Sequence, residues 1–145
     1  MTSGEHPEMI YDFYGFPDEL SQVQYPAHGS PELAEQVWSL LQPENVELNP
    51  TRGFDHSAWA VLKFLYPDAD IPMVQLSLNR LQSAEWHFNL AKKLSALRKQ
   101  GVLIIGSGNI VHNLRAISWE HIDQIGAGYD WAFAFRETVN QAIAT

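Results

Sequence analysis

The alternation of apolar segments along the chain constrains the fold more than any other feature of the sequence. Short apolar runs with the composition of core strands lie at residues 46–48, 71–78 and 102–105, and longer segments with helical spacing of apolar residues separate them. Strands that alternate with helices are typical of layered domains with parallel sheets. The sequence therefore predicts a partial layered α/β domain with a mostly parallel sheet flanked by helices, formed as a single domain over residues 1–145.

Four segments carry helix signals. Ser30 reads as an N-cap, and the helix that follows it ends before Pro43. The other predicted helices cover residues 57–66, 83–100 and 129–143. The helix over residues 57–66 looks buried, and the helix over residues 83–100 ends before Gly101, which is predicted to be a left-handed cap. Three strands make a thin sheet for this much apolar helix surface, and the first thirty residues are irregular. Both features predict that further elements complete the domain.

The composition excludes several classes of function. Hydrophobic residues make up 46% of the chain and charged residues 18%, a mixture that supports a packed core. The net charge of -8 disfavours nucleic acid as a partner, because an acidic surface repels phosphates. The absence of cysteine excludes disulfides, thiolate metal sites and a cysteine nucleophile.

Membrane association is not indicated by the sequence. No stretch approaches the roughly 20 apolar residues that a membrane span needs. The first nine residues lack both the basic and the apolar regions of a signal peptide. We therefore expect a cytoplasmic protein with no membrane partner.

His112 is the first candidate for chemistry, because it follows the apolar run at residues 102–105 and the segment Gly106-Ser107-Gly108. Sites in open α/β sheets form beyond the carboxyl ends of strands, and an imidazole there can exchange protons near neutral pH. The alternative is a tight turn in which His112 caps or packs, and spacing alone leaves both open. Nucleotide binding is excluded because Val111 breaks the G-x-G-x-x-G pattern. A hydrolase that uses Ser107 with His112 lacks the G-x-S-x-G context.

Asp55-His56 is the second candidate, in a loop before a predicted helix. A carboxylate beside an imidazole can orient it, but side chains of adjacent residues rarely pair, so Asp55 as a helix cap is the alternative. His6, His87 and His121 stand in unremarkable contexts, and no His-x-x-x-His or His-Glu-x-x-His zinc motif is present.

Several strings taken together are more specific than these candidates. In chain order they are Ile10–Pro17 with Tyr25–Pro31, Gly53–Trp59, Tyr66–Ser77 and Gly106–Leu114. They resemble, in the right order and over nearly the whole chain, motifs of the LigB-type extradiol ring-cleavage dioxygenases, in particular the DOPA-dioxygenase-like subgroup. Gly53-Phe54-Asp55-His56-Ser57-Ala58-Trp59 is similar to the family's G-[FL]-D-H-[GS]-x-W motif.

The resemblance implies a chemistry and a set of residues. The family opens a catechol ring with dioxygen at a non-haem metal, Fe(II) or Zn(II), so a small aromatic catechol and O2 are the implied partners. By motif, His112 resembles the general acid/base and His56 the second active-site histidine. Asn113 and Asp55 are implied as substrate-binding residues.

The family's metal ligands find no match in this chain. They lie at an N-terminal strand end with a His-Gly-Ser-Pro motif, after a second strand ending in Ser-Ala-His, and in a C-terminal segment. His28-Gly29-Ser30-Pro31 spells the same four letters, but its neighbours match a later loop of the family. No metal ligand is therefore predicted among these residues.

We accordingly expect a truncated or split gene product. Missing central strands would leave apolar faces exposed around residues 102–105 and Trp59, and such faces favour self-association or a complementing chain. The rival interpretation is a remnant or interaction module that keeps part of the fold and has no metal site and no catalysis.

Overall fold

Four α-helices provide most of the regular structure of residues 1–144, which are the residues that this computed structural model describes. The helices are α1 (Pro31–Leu40), α2 (His56–Leu65), α3 (Ala84–Lys93) and α4 (Asp130–Ile143). Short 3-10 helices cover Asp18–Gln22, Leu94–Gln100, Leu114–Ala116 and Trp119–His121. The chain divides into two units, Met1–Ser107 and Gly108–Thr145.

Local capping chemistry fixes where the helices of the first unit begin and end. The Ser30 hydroxyl accepts a hydrogen bond from the Leu33 N–H at 3.2 Å, and Pro31 takes the first helical position. Both features confirm the predicted start of α1. Gly101 adopts the expected left-handed conformation with φ 79°, but the predicted helix over residues 83–100 is divided into α3 and a 3-10 helix.

The predicted parallel sheet is wrong. Residues 1–144 contain no β-strand, and segments pair only at three isolated parallel bridges, Thr2 with Asn49, Met9 with Phe54, and Gly29 with Met73. The layered α/β class is therefore replaced by a mainly helical arrangement with extended connections.

Interrupted hydrogen bonding explains why these bridges do not extend into strands. Proline has no N–H and cannot donate to a ladder, and Pro50 and Pro72 stand directly beside bridge residues. The apolar run at residues 102–105 forms no bridge within the described part of the chain. Apolar composition produces a strand only where a neighbouring strand accepts its hydrogen bonds, and this run has no such neighbour among residues 1–144. Leu103 in this run is accordingly 64% exposed.

Two apolar clusters form the core of the first unit. One joins α1 to α3 and the 3-10 helix after it, and its buried members are Met1, Ala34, Val37, Leu41, Leu90, Leu94 and Leu97. The other surrounds α2 and the extended segments near it, with Tyr25, Ala27, Phe54, Trp59 and Ala69 buried. The second cluster packs around α2 and so supports the start of this helix, where Asp55 and His56 lie.

Glycine permits the closest approach between extended segments. A Cβ atom at Gly53 would lie 2.1 Å from the backbone oxygen of Glu8, and one at Gly29 would lie 1.9 Å from the backbone oxygen of Gly4. Neither distance is compatible with a side chain. These two positions therefore need glycine because backbone packs directly on backbone there.

The exposure of apolar side chains agrees only in part with the predictions from the sequence. The apolar run at residues 102–105 is largely exposed, as predicted. The sequence also predicts an exposed apolar face around Trp59, but Trp59 itself is buried, at 2% exposure. α2 is less buried than predicted, since Phe64 is 84% exposed.

No helix within residues 1–144 combines the length and apolar character that crossing a membrane requires.

Candidate functional site

The first part of the candidate site is built at the start of α2. Asp55 is the N-cap, and its carboxylate accepts hydrogen bonds from the backbone N–H of Ser57 at 3.2 Å and from the Ser57 hydroxyl at 2.5 Å. An acid at this position satisfies N–H groups that have no partner inside the helix. The interpretation of Asp55 as a helix cap is thus confirmed, and His56 becomes the first residue of α2.

The Asp55 side chain is also the centre of a polar network. Gln75 Nε2 donates to Asp55 Oδ1 at 2.6 Å, and Arg52 Nη2 lies 2.9 Å from Asp55 Oδ2. Burial raises the pKa of the Asp55 carboxyl, but hydrogen bonds from Ser57 and Gln75 outweigh it, so the pKa lies below its ordinary value. Both carboxylate oxygens are therefore engaged by protein groups, and substrate binding by Asp55 stays a prediction.

Asp12, and not the adjacent Asp55, pairs with the His56 ring. Asp12 Oδ1 lies 2.7 Å from His56 Nδ1, and the same oxygen accepts the His56 backbone N–H at 3.2 Å. An ionised carboxylate can only accept, so Nδ1 carries the proton in this pair. No hydrogen-bond partner is present at Nε2 among the described residues.

The ionisation of Asp12 reflects this contact. Partial burial raises the pKa of the Asp12 carboxyl, but the hydrogen bonds from the ring and backbone of His56 outweigh burial. The net shift of the pKa is downward, which keeps the carboxylate ionised at neutral pH. Asp12 is therefore a negatively charged partner for an imidazole that is itself 45% exposed.

Aromatic side chains stand against one side of the His56 imidazole. The Phe13 ring meets it edge to face, with centroids 5.9 Å apart and an interplanar angle of 88°. Phe13 in turn packs against Trp59 at 6.0 Å, and the Trp59 Nε1–H donates to the Ile10 carbonyl at 3.1 Å. The imidazole thus has a charged partner at Nδ1, an apolar neighbour beside the ring, and a remaining nitrogen without a hydrogen-bond partner among the described residues.

His112 and Asn113 belong to the second unit. His112 is exposed in an irregular segment before the 3-10 helix Leu114–Ala116. The Asn113 side chain accepts the Arg115 backbone N–H at 3.2 Å and thereby caps that helix. His56 lies in the first unit, so a joint site with His112 stays a prediction.

The described residues do not fit the non-haem metal that the resemblance implies. Residues 1–144 contain no cluster of three or more His, Cys, Asp or Glu side chains that could hold a metal ion. The His28 ring stands edge-on against His6, with centroids 5.1 Å apart. Two imidazoles are fewer than the three protein ligands that catalytic zinc and non-haem iron sites use.

Two residues of the site were not identified from sequence. Gln75 lies 20 positions from Asp55, and Asp12 lies 44 positions from His56. Asp12 stands in one of the family-like strings, between Tyr11 and Phe13, but no spacing rule connects it to a histidine so distant in sequence. The only local signal was an isolated acid in an aromatic segment.

Comparisons with known proteins agree with these local strings. A family model described as the catalytic LigB subunit of aromatic ring-opening dioxygenase matches residues 1–135. A protein of Escherichia coli named 4,5-DOPA dioxygenase extradiol is 49% identical over 140 residues, which are 96% of this chain and 51% of the relative. A protein of the same name from Mirabilis jalapa is 47% identical over 110 residues, 74% of this chain and 41% of the relative.

A solved structure is similar as well. The crystal structure of an uncharacterised Escherichia coli protein aligns with a TM-score of 0.75 and 43% sequence identity, over 97% of this chain and 51% of the other. The chain therefore spans about half the length of the relatives it matches.

Proposed function

Since this chain belongs to the LigB family of aromatic ring-opening dioxygenases, we propose that its chemistry is the extradiol opening of a catechol ring by dioxygen. The observation that carries the proposal is the similarity to 4,5-DOPA dioxygenases over nearly all of this chain. A DOPA-like catechol is accordingly the proposed substrate, and O2 the second reactant. Substrate and activity are proposals, because the chain spans about half of those relatives.

The proposed roles come from the match of these residues to motifs of the family. By this match His112 acts as the general acid/base, a role for which an imidazole has one nitrogen that can donate a proton and one that can accept it. His56 is the second active-site histidine, and its Nε2, which has no hydrogen-bond partner among the described residues, is the nitrogen left for a reactant. Asn113 and Asp55 are proposed to contact substrate, although in the present geometry both side chains already cap helices.

The family's chemistry depends on a metal. We propose non-haem Fe(II) or Zn(II) as the cofactor, on the strength of family membership alone. Residues 1–144 do not assemble ligands for it, so no step of the reaction is assigned through the metal. The roles above concern only protons held by protein side chains.

A ring-opening assay tests the proposal directly. The purified chain is reconstituted anaerobically with Fe(II) and given DOPA and oxygen, and coloured semialdehyde formation is followed together with oxygen uptake. We expect turnover that falls on the order of 100-fold or more in His112→Ala and in His56→Ala, because proton transfer by a positioned side chain contributes this much. His121→Ala, whose ring contacts the nearby Ser118 hydroxyl, is the matched control and should keep full activity.

The assay also has a result that refutes the proposal. A folded sample that shows neither ring opening nor oxygen uptake, with no iron retained by elemental analysis, means that this chain does not perform the family's chemistry. Equal activity in all three histidine variants would exclude the roles proposed for His56 and His112.

One observation favours a second candidate, a non-catalytic interaction module. Within residues 1–144 no metal cluster forms, while large apolar side chains such as Phe64, Leu78 and Leu81 are more than 80% exposed. Exposed apolar surface favours association with another copy or with a complementing chain. Sedimentation analysis distinguishes this candidate, which predicts stable self-association together with absent turnover.

A further inference from the structure

We infer that Asp12 is a positioning residue that holds His56 in the tautomer protonated at Nδ1, so that Nε2 is the nitrogen that exchanges a proton with the reactants. The inference rests on the proposed function for its role in turnover, but the tautomer itself is a property of the resting protein. Its basis is the 2.7 Å contact between Asp12 Oδ1 and His56 Nδ1.

Asp12 fixes the histidine at two points. The same carboxylate oxygen accepts the His56 backbone N–H at 3.2 Å, so the start of α2 and the ring are tied to one atom. A neutral imidazole has one N–H, and a carboxylate acceptor at Nδ1 leaves a lone pair at Nε2. The partner of one ring nitrogen thereby decides what the other can do.

The segment that carries Asp12 is anchored by hydrogen bonds of the Ile10 backbone. The Ile10 N–H donates to the Phe54 carbonyl at 2.7 Å, and the Ile10 carbonyl accepts the buried Trp59 indole N–H at 3.1 Å. These bonds join the segment that carries Asp12 to both sides of the Asp55–His56 corner. The backbone segment that carries Asp12 is therefore anchored near His56 by bonds other than the Asp12–His56 contact.

Other charged groups near His56 are already paired. The Asp55 carboxylate is occupied by Ser57, Gln75 and Arg52, so it is not available to the imidazole. Asp12 consequently provides the negative charge that stabilises the ring when Nε2 takes up a proton. In that step a substrate hydroxyl loses its proton to the Nε2 lone pair, and the proton returns from Nε2 to the product.

A purely structural role for Asp12 as a second cap of α2 is the competing explanation. Such a cap would affect stability but would not determine which ring nitrogen is protonated. The two explanations therefore differ in a spectroscopic signature that can be measured without metal or substrate.

Long-range ¹H–¹⁵N spectra of the histidine rings provide this test. His56 is assigned by the signal that disappears in His56→Gln, and spectra are recorded above neutral pH on the wild type, Asp12→Ala, Asp12→Asn and Asp68→Asn. We expect the Nδ1–H pattern in the wild type, its loss in Asp12→Ala, and its retention in Asp12→Asn, whose amide oxygen can still accept. Asp68, exposed in a turn, is the matched control and should leave the pattern unchanged.

Two results would overturn the inference. One is an Nε2–H pattern for His56 in the wild type, which needs no variant to fold. The other is an unchanged tautomer in a folded Asp12→Ala protein. If Asp12→Ala does not fold, the wild-type spectrum and Asp12→Asn decide the question.

Measuring the turnover of Asp12→Ala and of the wild type separates this inference from the proposed function. If the chain opens catechols, Asp12→Ala should lower kcat on the order of tenfold or more with little change in KM, because only proton transfer is affected. An unchanged kcat in an active enzyme overturns the role of Asp12 in turnover. A wild type that lacks turnover but has the Nδ1–H tautomer refutes the proposed function and leaves the positioning contact supported.

Discussion

The contact between Asp12 and His56 shows how hydrogen bonds set the ionisation of a partly buried carboxyl group. Burial alone would raise the pKa of the Asp12 carboxyl, yet the hydrogen bonds from His56 bring the pKa below its ordinary value. The folded state therefore favours the ionised carboxylate, and this preference depends on the presence of the imidazole and its N–H groups.

Removing the ring should reverse this balance. In His56→Ala the carboxylate loses the 2.7 Å hydrogen bond while its partial burial persists, so we expect the pKa of Asp12 to rise relative to the wild type. The pH dependence of the Asp12 carboxyl ¹³C shift measures this directly. His87→Ala, on α3, serves as the control, and an Asp12 titration that is the same in all three proteins would contradict the described contact.

At the scale of elements, the first unit is held together by helix packing and by extended segments that touch at single points. α2 contributes the buried Trp59 ring, which packs with Phe54 and hydrogen-bonds the Ile10 carbonyl. The bridge between Met9 and Phe54 lies beside Gly53, where backbone meets backbone. Glycine thus permits direct backbone contact between the segment that leads into α2 and the segment that leads to Asp12.

Gly53→Ala tests this close approach. The added methyl group would meet the Glu8 carbonyl, which belongs to the backbone and cannot move aside like a flexible side chain. We expect a loss of about 1–3 kcal/mol in the free energy of unfolding by urea, typical of overpacking. Gly106→Ala is the matched control, because no atom beyond its own chain neighbours lies within 4 Å of the added Cβ. Equal stability of the two variants would refute the close approach.

At the scale of the whole molecule, the two units differ in how much core they possess. The first unit has two buried clusters, to which α1, α2 and α3 all contribute. Among residues 108–144 no side chain is buried, and α4 has no buried residue along its 14 positions. Since most helical stability in proteins comes from packing of an apolar face, α4 by itself is expected to open readily.

Hydrogen exchange can compare the two units in one sample. We expect amides of α4 to exchange on the order of tenfold or more faster than those of α1, after correction for intrinsic rates, because opening α4 exposes little buried surface. Mass spectrometry of peptic fragments resolves the two helices. Equal protection of α4 and α1 would show that α4 is packed more extensively in solution than these contacts indicate.

The sequence by itself determined what depends on neighbours three or four residues apart. Ser30 begins a helix and Gly101 ends one as predicted, and Asp55 caps a helix as one of its two interpretations had it, because capping needs only nearby N–H and carbonyl groups. The ordered strings around Asp55-His56 and His112 were also sufficient to identify the family, which the comparisons confirmed.

Tertiary structure decided what depends on distant segments. Apolar runs read as strands form no sheet among residues 1–144, because a strand requires hydrogen-bonding neighbours that its own composition does not supply. The partner of His56 is likewise not its neighbour Asp55, whose carboxylate turns to Ser57, but Asp12, 44 residues away. Hydrogen bonds of the Ile10 backbone with Trp59 and Phe54 anchor the segment that brings that carboxylate to the imidazole.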